Sequence, residues 1–162
     1  MLELPYEGDK YCIDIFLPKE GKQIADVLDM LTPEQWATLQ QQIRYSLYAV
    51  DVWLPKFKYI YERSLIKDLQ TLGIHDAFTP AANFSKLSDV DTYLGFLKQV
   101  CYIAVDEQGT EAAAVTIGGN FTTSVGPDPE PKVFHATRPF VYIIRERQYG
   151  TILFCGVVGD PN

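Results

Sequence analysis

The chain has 162 residues, is 47% hydrophobic and 13% aromatic, and carries a formal net charge of -7. That length and aromatic content suit one sizeable core and argue against disorder. The negative balance and the lack of a long basic run disfavour nucleic acid or an anionic membrane as partner. No apolar run nears the roughly 20 residues of a membrane span.

In chain order, Leu2 to Leu4 and Tyr11 to Leu17 read as two strands joined by the turn Glu7-Gly8-Asp9. Gly21 to Leu31 places Ile24, Val27, Leu28 and Leu31 at helical spacing. Thr32-Pro33-Glu34-Gln35 predicts the start of a second helix. Thr32 is its cap, Pro33 suits the first position, and Gln35 completes a capping box. Trp36, Leu39 and Ile43 form its expected buried face.

From Arg44 to Tyr61 the period becomes that of strands, broken at Leu54-Pro55-Lys56, where Pro55 marks an edge or a change of sheet. Ser64 to Leu72 reads as a short helix with Leu65, Leu69 and Leu72 on one face and Gly73 as its stop. Leu94 to Asp106 is apolar on both faces, which predicts a strand in the middle of a covered sheet. Phe140 to Ile144 and Ile152 to Val158 predict a hairpin through Gln148-Tyr149-Gly150. Strands dominate and helices flank them, an α+β arrangement with antiparallel sheets. Cys12, Cys101 and Cys155 each sit in an apolar strand pattern and are expected as buried free thiols. They show no metal-ligand spacing, and no cofactor or metal is expected.

Between the apolar blocks Leu94 to Asp106 and Phe140 to Ile144 lies a long segment, Glu107 to Phe134, that starts like a strand and ends like a tether. A loop well beyond about 12–15 residues in a compact domain is usually functional or disordered. Strand side chains alternate faces, so Thr110, Ala112, Ala114 and Thr116 share one face, all small and uncharged. Glu111 falls on the other. Gly109 permits a sharp hinge, and no proline lies between Glu107 and Pro127. Pro127, Pro129 and Pro131 favour an extended tether.

Six motifs, in order along nearly the whole chain, resemble the C-terminal portion of a serpin. They are Leu4-Pro5-Tyr6 with Ile15-Phe16-Leu17-Pro18; Val52-Trp53-Leu54-Pro55-Lys56-Phe57; Leu72-Gly73-Ile74 with Ala77-Phe78; Val105 to Ala114; Arg138-Pro139-Phe140; and Ile152 to Gly156 followed by Asp160-Pro161. Two positions depart from the family pattern. Gln99 stands where many serpins carry a shutter histidine, and the segment after the short helix reads Ala82-Asn83-Phe84-Ser85.

The resemblance implies a partial serpin fold: antiparallel sheets B and C, part of sheet A, helices G, H and I, and an exposed reactive-centre loop. Family helices A to F and strands one to three of sheet A have no counterpart. Residues 1–162 are therefore expected to be the C-terminal part of one longer domain, with Met1 an internal methionine. The strand 94–106 would then lose a neighbour and leave an exposed apolar edge.

The implied activity is serine-protease inhibition, in which a protease cleaves the loop and its front half inserts into sheet A. The hinge is then Glu107, Gly109, Thr110, Ala112, Ala113, Ala114 and Thr116, and Lys56 is the family lysine that pairs with Glu107. Family spacing places the reactive bond at Thr123-Ser124, within the range Asn120 to Val125. A threonine before the bond suits elastase-like or subtilisin-like proteases, and Phe121 suits a chymotrypsin-like one. No Arg or Lys lies between Glu107 and Pro131, which argues against trypsin-like targets. The family also implies an extracellular or periplasmic parent.

The alternatives are a non-inhibitory serpin (carrier, chaperone or storage protein) and inhibition of cysteine proteases by the same route. The first usually carries bulky or charged inward hinge residues, which are absent here. No catalytic role is expected: His75 and His135 are the only histidines, and neither sits in a nucleophile motif. Asn83-Phe84-Ser85 and Asn120-Phe121-Thr122 fit the glycosylation pattern, which is common by chance.

Overall fold

A computed structural model describes residues 1–44, 49–106 and 130–161. Eight strands and three α-helices are described: β1 (Leu2–Pro5), β2 (Tyr11–Phe16), α1 (Ile24–Met30), α2 (Pro33–Arg44), β3 (Val50–Trp53), β4 (Phe57–Ser64), α3 (Ile66–Thr71), β5 (Lys98–Val105), β6 (Lys132–His135), β7 (Phe140–Glu146) and β8 (Ile152–Val158). The chain divides into two units, Met1–Phe57 with Val105–Asn162, and Lys58–Ala104.

The first unit is built on a four-stranded antiparallel sheet in the order β1-β2-β7-β8. Gly8 and Asp9 both adopt positive φ in the turn between β1 and β2, the conformation that matches strand twist in a tight hairpin. The central strands carry the core because both of their faces are covered. On one face Phe16, Val141 and Ile143 pack with Val27 of α1 and, partly buried, Trp36 and Leu39 of α2. On the other, the Phe57 ring meets Phe140 and Tyr142 at 5.9 and 5.5 Å between centroids.

The start of α2 is capped as the sequence predicts, with one substitution of partners. The Gln35 amide donates to Thr32 Oγ1 at 3.3 Å, but the Thr32 amide donates to the Met30 carbonyl at 2.8 Å. Gln35 therefore does not close the reciprocal half of a capping box. That half appears at α1, where the Gln23 amide donates to Asp26 Oδ2 at 2.7 Å.

A second small sheet in this unit joins β3 to β6 alone, and the pair runs parallel. The sequence predicts only antiparallel sheets. Parallel neighbours require a long crossover, and the chain from Trp53 to Lys132 supplies it. The tether is accordingly shorter than expected: Lys132 to Phe134 is strand, and only Glu130 and Pro131 of the described residues precede it as irregular chain.

The second unit pairs β4 with β5 and carries α3. Gly73 ends α3 at φ 91°. Its amide donates to the Gln70 carbonyl and the Ile74 amide to the Leu69 carbonyl, both at 2.9 Å, the two bonds of a Schellman stop. A Cβ at Gly73 would meet nothing within 4 Å, so Gly73→Ala is expected to cost about 1–2 kcal/mol through backbone conformation alone. Urea denaturation checks this, and a neutral result would mean the left-handed stop is not required.

Leu72, predicted on the apolar face of α3, is instead 76% exposed, because it is the residue at which the helix turns into its stop. β5 is not the middle of a covered sheet: among the described residues it pairs with β4 only, and while Ile103 and Val105 on one face are buried, Val100 and Tyr102 on the other are 56% and 55% exposed. Of the three free thiols, Cys12 alone is buried. Cys155 is exposed on β8, the outermost strand of its sheet.

Candidate functional site

The hinge residues Glu107, Gly109, Thr110, Ala112, Ala113, Ala114 and Thr116 and the bond Thr123-Ser124 lie outside the described residues, as does Asn120. The structure describes the two strands that carry this segment. Upstream, β5 ends at Val105, and the division between the two units falls between Ala104 and Val105. Downstream, β6 begins at Lys132. Lys56 is exposed in the link between β3 and β4, while its expected partner Glu107 is not described.

β6 is anchored by main chain at both ends. The Lys132 amide donates to the Ala49 carbonyl at 2.9 Å and the Ala136 amide to the Trp53 carbonyl at 2.8 Å. Trp53 and His135 stand opposite each other in the register. Their rings stack at 4.3 Å and 18°. His135 Nε2 lies 2.9 Å from Asp51 Oδ2, and Asp51, two residues before Trp53, shares its face. Beyond β6, Arg138 Nε donates to the Pro18 carbonyl at 2.7 Å. The side-chain pairing across β3 and β6 is not foreseen from the sequence. The alternation Val50-Asp-Val-Trp53 and Lys132-Val-Phe-His135 carries the signal, but the two pieces are far apart in the chain.

The face of the large sheet that meets α2 also holds a buried charge network. Arg145 Nε donates to Asp14 Oδ2 at 2.5 Å, and Arg145 also pairs with Glu3. Arg147 bonds Glu3 and Asp9, each at 2.9 Å. The Arg145 guanidinium lies 5.8 Å from the centre of the Trp36 ring. Burial pushes the Asp14 carboxyl above the ordinary aspartate range, outweighing the Arg145 bond that pulls it down. Burial, with Asp14 and Glu3 nearby, pushes the Cys12 thiol up to about 12.

Glu3, Cys12 and Asp14 bring ligand atoms within 4.8 Å of one another, the one such group among the described residues. A cation there would need the thiolate, which is disfavoured, and Arg145 already occupies both carboxylates. The cluster is built for a guanidinium rather than a metal. His75 sits at the start of a 3-10 turn, Asp76–Phe78, and His135 is held by Trp53 and Asp51. Neither is placed beside a nucleophile by any described contact. Asn83 is exposed, and its Oδ1 accepts from the Ser85 amide at 3.2 Å. No described helix is long and apolar enough to cross a membrane.

A family profile described as "Serpin (serine protease inhibitor)" matches residues 1–161. A serpin-like protein of Methanosarcina acetivorans is 36% identical over 100% of this chain and 37% of its own length. Serpin B8 of Bos taurus is 34% identical over 99% of this chain and 43% of its own. The crystal structure of a thermophilic serpin, tengpin, in the native state superposes with a TM-score of 0.71 and 31% identity. It covers 97% of this chain and 41% of that one. The chain thus spans well under half the length of these relatives.

Proposed function

The chain belongs to the serpin family, and on that premise we propose that its full-length form inhibits serine endopeptidases as a suicide substrate. Serpins are typically protease inhibitors rather than catalysts. The observation that carries the finer reading is the run Thr110, Ala112, Ala114, Thr116: small, uncharged and at strand spacing, beginning five positions after β5 ends.

The protease serine hydroxyl attacks the carbonyl carbon of Thr123. The Thr123–Ser124 amide bond breaks, the nitrogen leaves protonated on Ser124, and the protease stays attached as an ester. The freed front half then adds to the sheet as a strand, the mode of addition known for serpin loops. Each new ladder bond contributes about 0.5–1.5 kcal/mol net, so about ten residues supply on the order of 10 kcal/mol. Insertion outruns hydrolysis of the ester only if nothing in the inward face resists burial.

The relatives extend well beyond the length matched here. We propose that the additional chain of the full-length form covers the exposed apolar face of β5 and supplies the neighbour between which and β5 the hinge inserts. The exposure of Val100 and Tyr102 supports this. Residues 1–162 alone are then expected not to inhibit.

The full-length protein should form an SDS-stable covalent complex with elastase or subtilisin, or with chymotrypsin if Phe121 precedes the cut. Trypsin should give none, because the segment from Glu107 to Pro131 offers no Arg or Lys. Release of free fragments only, across this protease panel, would overturn the inhibitory reading.

A further inference from the structure

We propose that Asp51, Trp53 and His135 form a side-chain clip that fastens β6 to β3 and thereby positions the downstream end of segment 107–129. The functional consequence rests on the inhibitor reading above; the clip itself does not.

The clip adds side-chain contacts to the main-chain bonds of the described ribbon. Among the described residues β6 pairs with β3 alone, over four residue pairs. Two-stranded ribbons are marginal by themselves, and parallel pairing is slightly weaker per residue than antiparallel. The side chains on one face compensate. Trp53 remains 62% exposed, so its indole is held by the imidazole stack rather than by burial in the core. Asp51 accepts the hydrogen bond from the His135 ring and fixes its rotation. That rotation keeps the imidazole parallel to the indole. Val133, opposite Asp51 on the same face, is exposed and adds little.

Position gives the clip its consequence. With β6 docked, the segment is anchored at Lys132. With β6 frayed, the next described anchor is Arg138 on the Pro18 carbonyl, so residues 132–137 come loose from β3. Longer loops cost little in closure entropy. The loss therefore falls on the orientation of the bait toward a protease rather than on its reach. These are positioning residues: they touch the strand, not the scissile bond.

Amide hydrogen exchange and inhibition kinetics of the full-length protein test the idea together. His135→Ala and Trp53→Ala are each expected to speed exchange at residues 132–136 by up to about tenfold, the scale of one ring stack plus one partly exposed hydrogen bond. Exchange in β7 should not change. The association rate with protease should fall while the number of inhibitor molecules consumed per protease stays constant. The reversed pair Asp51→Lys with His135→Glu should restore part of the protection. Unchanged exchange at 132–136 in both single variants would overturn the clip. Faster exchange with an unchanged association rate would overturn its positioning role. If the unaltered protein inhibits no protease, the inhibitor reading fails, and the exchange result still decides the clip.

Discussion

Thr110→Arg in the full-length protein is expected to turn inhibitor into substrate, with the yield of covalent complex falling at least about tenfold. Glu111→Arg should leave that yield nearly unchanged. The two residues are neighbours of opposite parity, so a strand sends one inward and the other outward. An arginine carried inward loses its hydration without a partner, at a cost of several kcal/mol, and about 1.4 kcal/mol is already tenfold. Insertion then lags behind hydrolysis of the ester, and the protease leaves with a cut loop behind it. An arginine at 111 stays in water, as the native glutamate would. The readout is the partition between complex and cleaved protein at a fixed protease ratio. Equal effects at 110 and 111 would refute the assigned face.

Arg145→Ala is expected to destabilise the fold by about 3–5 kcal/mol, the range for removing one partner of a buried pair. Asp14 is fully buried, and without the guanidinium its carboxylate has lost its closest cation. Asp14→Leu combined with Arg145→Met should cost far less, because Arg147 still pairs with Glu3 and Asp9. The penalty has a definite pH dependence. Burial already raises the Asp14 pKa, and removing Arg145 raises it further, so the folded variant binds a proton more readily than its unfolded chain. Stability of Arg145→Ala should therefore recover as pH falls toward the unfolded aspartate value of about 3.9, and decline as pH rises through the folded value. Urea denaturation across that range checks both sign and size. A pH-independent loss below about 1 kcal/mol would contradict the role given to the network.

The hairpins, the start of α2 and the glycine stop were legible in the sequence because each is written locally, in alternation, capping residues or a forced φ, whereas Ser64, expected to open α3, ends β4 instead. Other features depend on partners far along the chain. β6 was read as tether because four residues after Pro131 give too short an alternation to stand out, and its partner β3 lies on the far side of a long crossover. Asp14 interrupts an apolar run and Arg145 ends one, and only the register of β2 on β7 makes them a pair. β5 was assigned to a covered sheet on composition. The face of Ile103 and Val105 is buried, but the described residues leave Val100 and Tyr102 on the other face exposed. Of the candidate site, the alternation of 110 to 116 stands on the sequence alone and lies outside the described residues, whereas the pairing of β3 with β6 downstream of it was not legible.

Comparison of thermal melting before and after cleavage of the loop, in the full-length protein, tests loop insertion most directly. Cleavage within Asn120 to Val125 should raise the melting temperature well above that of the intact form, because the released strand joins the sheet. Unchanged or lower melting after cleavage would mean that the segment stays outside, and the proposed mechanism would be wrong.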